Sequence, residues 1–216
     1  LEAVKLEVDR SRRKKRFLLS GSSNLLLMSK VTESLAGRAI YLEMMPFTYR
    51  EMKGRGGGPS RLQNIMRKDF RLDEGSIGKE DPLPHILRGV FAPLLELSGL
   101  GDMLLWWEGY VKTYLERDLR ELSQIENLVD FRRLLGVLAL RSGSVLNRSA
   151  LARDIGISQP TVYRYIKLLE VSNLLMRVPP LTASRNKRVV KSPKLYYIDP
   201  GLNAFLAGYH DTDSLR

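Results

Sequence analysis

Residues 146–175 read LNRSALARDIGISQPTVYRYIKLLEVSNLL, and their pattern decides the architecture of the second half of the chain. A short helical pattern, carried by Ser149, Ala150, Leu151, Ala152 and Ile155, stops at Gly156. A second amphipathic pattern starts at Ser158. In it Val162, Ile166 and Leu169 recur at i, i+4 and i+7, and Tyr165 and Leu168 widen the same face. The Ser158 hydroxyl suits an N-cap, because it can accept one of the free N–H groups of the first turn. Pro160 falls inside that turn, where its missing N–H is not needed. Two short helices joined by a glycine-containing turn are the sequence signature of a helix-turn-helix. Such a unit holds its second helix outward, so that side chains can reach base edges in a DNA major groove.

Working outward, the residues off the apolar face of the second helix are Gln159, Thr161, Tyr163, Arg164 and Lys167. These are the candidate base-edge residues. An arginine such as Arg164 can bond guanine through two donors, and a glutamine such as Gln159 can do the same with adenine. Leu174 to Val178 and Lys194 to Asp199 read as two strands joined by a basic connection, an arrangement that suggests a wing. Arg177, Arg185, Lys187, Arg188, Lys191 and Lys194 lie on or beside that connection and could hold phosphates, which adds affinity without reading sequence. Upstream, Trp107, Tyr110, Val111, Tyr114, Leu115, Leu119 and Leu122 keep helical spacing, and Leu128 to Arg141 forms the next helix, closed at Gly143.

The charge balance agrees with a polyanion partner. The 216 residues carry a formal net charge of +11, and a clustered basic surplus attracts DNA, RNA or anionic membrane. Six of the seven residues from Arg10 to Arg16 are basic, and residues 148–194 hold ten basic side chains against Asp154 and Glu170. The chain has no cysteine and only two histidines, His85 and His210. Disulfide frameworks, thiolate metal sites and a cysteine nucleophile are excluded, and a Ser-His-Asp triad has little material. No metal site is expected. No run of about 18 apolar residues occurs, so neither a membrane span nor a membrane partner is expected, and the composition fits a cytoplasmic protein.

In the first half, Arg16 to Ser20 (RFLLS) reads as a short buried strand. Ser22, Ser23 and Asn24 form a polar junction, and Arg38 to Glu43 (RAIYLE) reads as a second strand. Arg55 to Ser60 (RGGGPS) is a break rather than a phosphate loop. That motif requires Gly-x-x-x-x-Gly-Lys-Ser/Thr, which occurs nowhere in the sequence. Ile86 to Leu97 is compatible with a helix containing Gly89 and Pro93. Asp199, ahead of Pro200-Gly201, reads as a turn cap. A nuclease role for it would need further Asp, Glu and Lys groups on adjacent strands.

Several stretches together resemble one family. RFLLSGSSNLLLMSKVTESLAGRAIYLEMMPFTYREM is similar to the second half of an AAA-type ATPase core. YVKTYLERDLREL, NLVDFRRLLGVLALRSGSVLN, GISQPTVYRYIKLLE and KRVVKSPKLYYIDPGL resemble the C-terminal domain of the same prokaryotic group of ATP-binding proteins. In that group the domain of unknown function comprises a winged helix and then a restriction-endonuclease-like fold. The resemblance implies a middle fragment, without the phosphate loop and without the nuclease-like part. ATP and magnesium would be cofactors of the intact family member, and this stretch is not expected to hydrolyse ATP. It also implies that Ser22, with Ser20 next, is the counterpart of the polar residue that orients attacking water. Arg38 would be the counterpart of a nucleotide-sensing or subunit-bridging arginine, a task that suits a permanently charged group.

The expected fold is therefore mainly α with small β elements, a partial α/β ATPase-core remnant followed by a winged helix-turn-helix domain. The expected boundaries are 1–51 for the core remnant, 52–103 for an irregular linker, 104–200 for the winged helix-turn-helix and 201–216 for a C-terminal helix and tail. Two uses of the basic helix follow. It binds DNA, or it docks as an interaction or lid module on neighbouring subunits of a homo-oligomer.

Overall fold

Three polar side chains start the helices that organise the second half of the chain. Asn127 Oδ1 accepts the N–H groups of Val129 and Asp130 at 2.9 and 3.2 Å. Asn147 Oδ1 accepts that of Ala150 at 3.0 Å, and Ser158 Oγ that of Thr161 at 3.2 Å. Each bond satisfies a donor that the first helical turn leaves without an intrahelical partner.

A computed structural model of the chain describes residues 2–11, 15–20, 39–40, 42–54, 56, 65–66, 80–119, 125–182 and 191–216. In chain order the elements are α1 (Glu2–Arg10), α2 (Tyr49–Met52), α3 (Leu83–Arg88), α4 (Ala92–Leu95), α5 (Leu100–Tyr110), α6 (Leu128–Leu140), α7 (Arg148–Ile155), α8 (Gln159–Val171), β1 (Leu175–Val178), β2 (Lys194–Tyr197) and α9 (Pro200–Leu206). Beyond α5 the helix widens into π-type turns over Val111–Asp118, where the Leu119 N–H reaches back to the Tyr114 carbonyl. The described chain is thus mainly helical, with one two-stranded sheet. It divides into two compact units, Leu1–Met45 with Glu108–Ile198, and Pro46–Trp107 with Asp199–Arg216.

In the first unit, α6, α7 and α8 bury one apolar face each. Phe131, Leu134, Leu135 and Leu138 of α6 meet Leu151 and Ile155 of α7 in the core, together with Val162, Tyr165, Ile166, Leu168 and Leu169 of α8. The Phe131 and Tyr165 rings pack edge to face at 5.2 Å, a favoured aromatic geometry. Gly156 ends α7 at φ +82°, the left-handed conformation that glycine adopts without a Cβ penalty, and the chain enters α8 three residues later. The turn and both helices match the sequence expectation to within a residue or two.

β1 and β2 pair antiparallel, with Leu175 opposite Tyr197 and Val178 opposite Lys194. Residues 143–146 also line β2. The Gly143 N–H donates to the Leu195 carbonyl at 2.6 Å, and that of Leu146 to the Pro193 carbonyl at 2.8 Å. The buried Tyr197 hydroxyl donates to the Leu135 carbonyl at 2.9 Å, which ties the sheet to α6.

The second unit is built around Asp199, which is 2% exposed. Its Oδ1 accepts the Gly201 and Leu202 N–H groups at 2.7 and 3.0 Å, capping α9. Its Oδ2 accepts the Val90 N–H at 2.8 Å, which ties α9 to the turn after α3. The turn-cap reading of Asp199 therefore stands. Space around it is minimal. A Cβ on Gly89 (φ +81°) would lie 2.4 Å from Asp199 Oδ1, and one on Gly201 only 2.6 Å from the Gly89 nitrogen. This close approach explains why the expected helix over Ile86–Leu97 is instead two short ones, α3 and α4. The chain takes a left-handed step at Gly89 between them, and Pro93 sits in the first turn of α4.

The two strands expected in the first half differ from what is observed. Residues 15–20 run as exposed chain without strand structure, and Leu18 is 93% exposed. The described part of Arg38–Glu43 likewise has no strand pairing among the described residues, with Ile40 and Leu42 exposed. A strand exists only as a ladder, because its N–H and C=O groups need cross-strand partners. An apolar run alone does not supply them.

Candidate nucleic-acid interface

The outward face of α8 presents Gln159, Tyr163 and Lys167 as an exposed stripe at i, i+4 and i+8, with exposed Arg164 beside it. The residues that anchor this face are the buried Val162, Tyr165, Ile166 and Leu169 on the opposite side. The packing therefore fixes which side chains are offered outward. Thr161 is half-buried, and its hydroxyl lies 2.8 Å from that of Ser158. Its backbone N–H is the donor that the Ser158 cap receives.

The cations of this unit fall into two groups. Arg132 is paired with Glu116, Arg177 with Glu170, Arg141 with Asp154 at 2.5 Å and Arg164 with Glu126 at 3.1 Å. The Glu126 hydrogen bond raises the Arg164 pKa further above its ordinary value, and the guanidinium also lies over the Tyr165 ring at 5.5 Å. Arg164 is thus engaged by its own chain. Lys167, Lys191 and Lys194 are exposed and pair with no carboxylate among the described residues. Arg148, which the sequence reading did not single out, belongs with them. Its guanidinium lies over the Tyr163 ring at 5.5 Å. A basic first residue on α7 was the one available signal, since a cation opposes the dipole at that end of a helix.

Arg185, Lys187 and Arg188, on the connection between β1 and β2, lie outside the described residues, and so do Ser22 and Arg38. Among the described residues no cluster of His, Asp and Glu could hold a metal ion, and no helix is long and apolar enough to cross a membrane.

Residues 80–213, more than half of the chain, match the family described as Domain of unknown function (DUF8612), and the chain belongs to that family. Residues 1–53 match the AAA domain, which relates the N-terminal part to AAA-type ATPases. Two mycobacterial proteins are similar over nearly the full length: Uncharacterized protein Rv2008c of Mycobacterium tuberculosis and Uncharacterized protein Mb2031c of Mycobacterium bovis. Each is 30% identical over 213 residues, covering 99% of this chain and 43% of the relative. The chain thus spans less than half the length of these relatives. No solved structure matches.

The AAA match is consistent with ATP and magnesium use in the intact family. Among the described residues nothing fits those groups. The sequence contains no phosphate-loop motif, and the described residues offer no acidic cluster for the metal.

Proposed function

We propose that this chain is a portion of an AAA-type ATP-binding protein in which α6, α7, α8, β1 and β2 form a winged helix that binds duplex DNA. The observation that carries this reading is the outward face of α8. It offers Gln159, Tyr163 and Lys167 together, opposite a fully buried apolar face. The order of three helices and then two antiparallel strands, with a basic connection between the strands, supports the wing. Lys167, Lys191 and Lys194 carry charge that no described carboxylate neutralises. Phosphate contacts of this type give affinity, and base-edge contacts from Gln159 and Tyr163 give preference.

The test is fluorescence anisotropy of a labelled short duplex at rising salt. Each phosphate contact steepens the fall of log affinity with log salt by about 0.9. With at least three unpaired cations in play, the expected slope is about −3 or steeper. Binding that is weak and independent of salt overturns the reading.

A second reading has one observation in its favour. Arg164 and Arg177 are already neutralised within the chain, as expected of a surface that docks on protein rather than on phosphates. In that case the unit is an interaction module of an AAA-type assembly. Self-association that depends on Tyr163 and Lys167, measured by light scattering, distinguishes it from a DNA binder.

A further inference from the structure

We infer that Arg148 is a phosphate-contacting residue held in place by the ring of Tyr163, so that the DNA-facing surface is made by both helices, α7 and α8. This inference rests on the DNA-binding reading above and deepens it. Four observations converge on Arg148. It is the first residue of α7, directly after the Asn147 cap. A cation there faces the positive end of the helix dipole and weakens the helix slightly, so helix stability does not account for it. Its guanidinium lies over the Tyr163 ring at 5.5 Å, within the range of cation–π attraction. Finally, Arg132, Arg141, Arg164 and Arg177 each pair with a carboxylate, whereas Arg148 pairs with none among the described residues.

A guanidinium held over a ring by its charge still has its N–H donors to give. Those donors suit the oxygens of a phosphate, which arginine can bond through two parallel N–H groups. Tyr163 is 46% exposed and lies on the same stripe as Gln159 and Lys167. The stack therefore brings a charge from α7 to the surface that α8 presents. Tyr163 acts here as a positioning residue, and its ring rather than its hydroxyl is what the stack requires.

The experiment measures binding of the full chain to labelled short duplexes of unrelated sequence between about 50 and 200 mM salt. Parent, Arg148→Ala, Tyr163→Ala, Tyr163→Phe and the Arg148→Ala/Tyr163→Ala double variant are compared, with circular dichroism to establish that each is folded. Arg148→Ala should weaken binding to all duplexes alike and make the salt slope shallower by about 0.9. Tyr163→Phe, which removes only the hydroxyl that would contact a base edge, should keep the parent slope on unrelated duplexes even where it loses base preference; Tyr163→Ala should reproduce part of the Arg148→Ala loss, and the double variant should be no shallower in slope than Arg148→Ala alone. If Arg148→Ala keeps the parent slope while the parent binds, the inference about Arg148 fails and DNA binding stands. If the parent itself shows no salt-dependent binding, both fail. Should Arg148→Ala not fold, Arg148→Gln gives the same readout, because it keeps part of the side-chain stem while removing the charge.

Discussion

Removing the Asp199 carboxylate should be among the most damaging single changes in the second unit. The side chain accepts the N–H groups of Gly201 and Leu202 in the first turn of α9, and those of Val90 and Phe91 in the turn after α3. With Asp199 2% exposed, water cannot replace it. A buried donor left without a partner costs about 1–3 kcal/mol, and loss of an N-cap alone costs about 1–2 kcal/mol. Part of this is offset, because the carboxylate no longer has to be stripped of water. We expect Asp199→Ala to destabilise by about 2–4 kcal/mol. Asp199→Asn keeps one oxygen for the α9 donors and leaves those of the turn after α3 unmatched, so about 1–3 kcal/mol is expected, less than for alanine.

The same group has a pH signature. Burial raises its carboxyl pKa above the ordinary 3.8, while N–H bonds from Val90, Leu202, Gly201 and Phe91 pull in the opposite direction. Its titration therefore favours the fold fully below 3.8, and that gain is lost as pH rises through the folded value. Asp199→Asn should remove this dependence. Urea unfolding followed by tryptophan fluorescence reads both effects, since Trp107 is buried in the same unit. An alanine variant within about 0.5 kcal/mol of the parent would refute the reasoning. So would an asparagine variant less stable than the alanine one.

Two other perturbations follow from ion pairs. Glu126→Gln frees Arg164 from its 3.1 Å partner, so DNA affinity should rise by less than about fivefold, the scale of an exposed pair. An unchanged affinity in anisotropy titrations would mean that Arg164 takes no part in binding. Glu80 accepts from the Tyr49 hydroxyl at 2.7 Å and Lys53 at 2.7 Å, and lies 2.9 Å from His85 Nε2. The Lys53 bond first, then Tyr49 and His85, lower its carboxyl from 4.5 to about 2. Its contribution to the fold is present above 4.5 and is lost as pH falls toward about 2. The NMR shifts of the Tyr49 and His85 rings should follow that low midpoint and lose it in Glu80→Gln. A midpoint near 4.5 would count against the network.

How much of this was legible in advance depends on the range of the interactions. The α7–α8 pair could be read from residues 146–175 because caps, the Gly156 stop and the buried stripe act within a few residues along the chain. The outward set of Gln159, Tyr163 and Lys167 followed from that stripe by helical geometry. The strands β1 and β2 were legible as short apolar runs, and for the same local reason. The identical rule misread Arg16–Ser20, where an apolar run has no ladder among the described residues. Thr161 was legible as a residue beside that stripe, whereas its half-burial and its contact with the Ser158 hydroxyl were not.

By itself, then, the sequence determined the helices, their caps and which face of α8 is apolar, because these depend on neighbours three or four residues away. Only the tertiary structure decided which charges remain unpaired and which glycines are irreplaceable. Glu126 and Arg164 are 38 residues apart in sequence, and Val90 and Asp199 are 109 apart. No periodicity links such positions. They meet because burial of the apolar faces brings distant segments together. Arg148 and Tyr163 meet in the same way, one from α7 and one from α8.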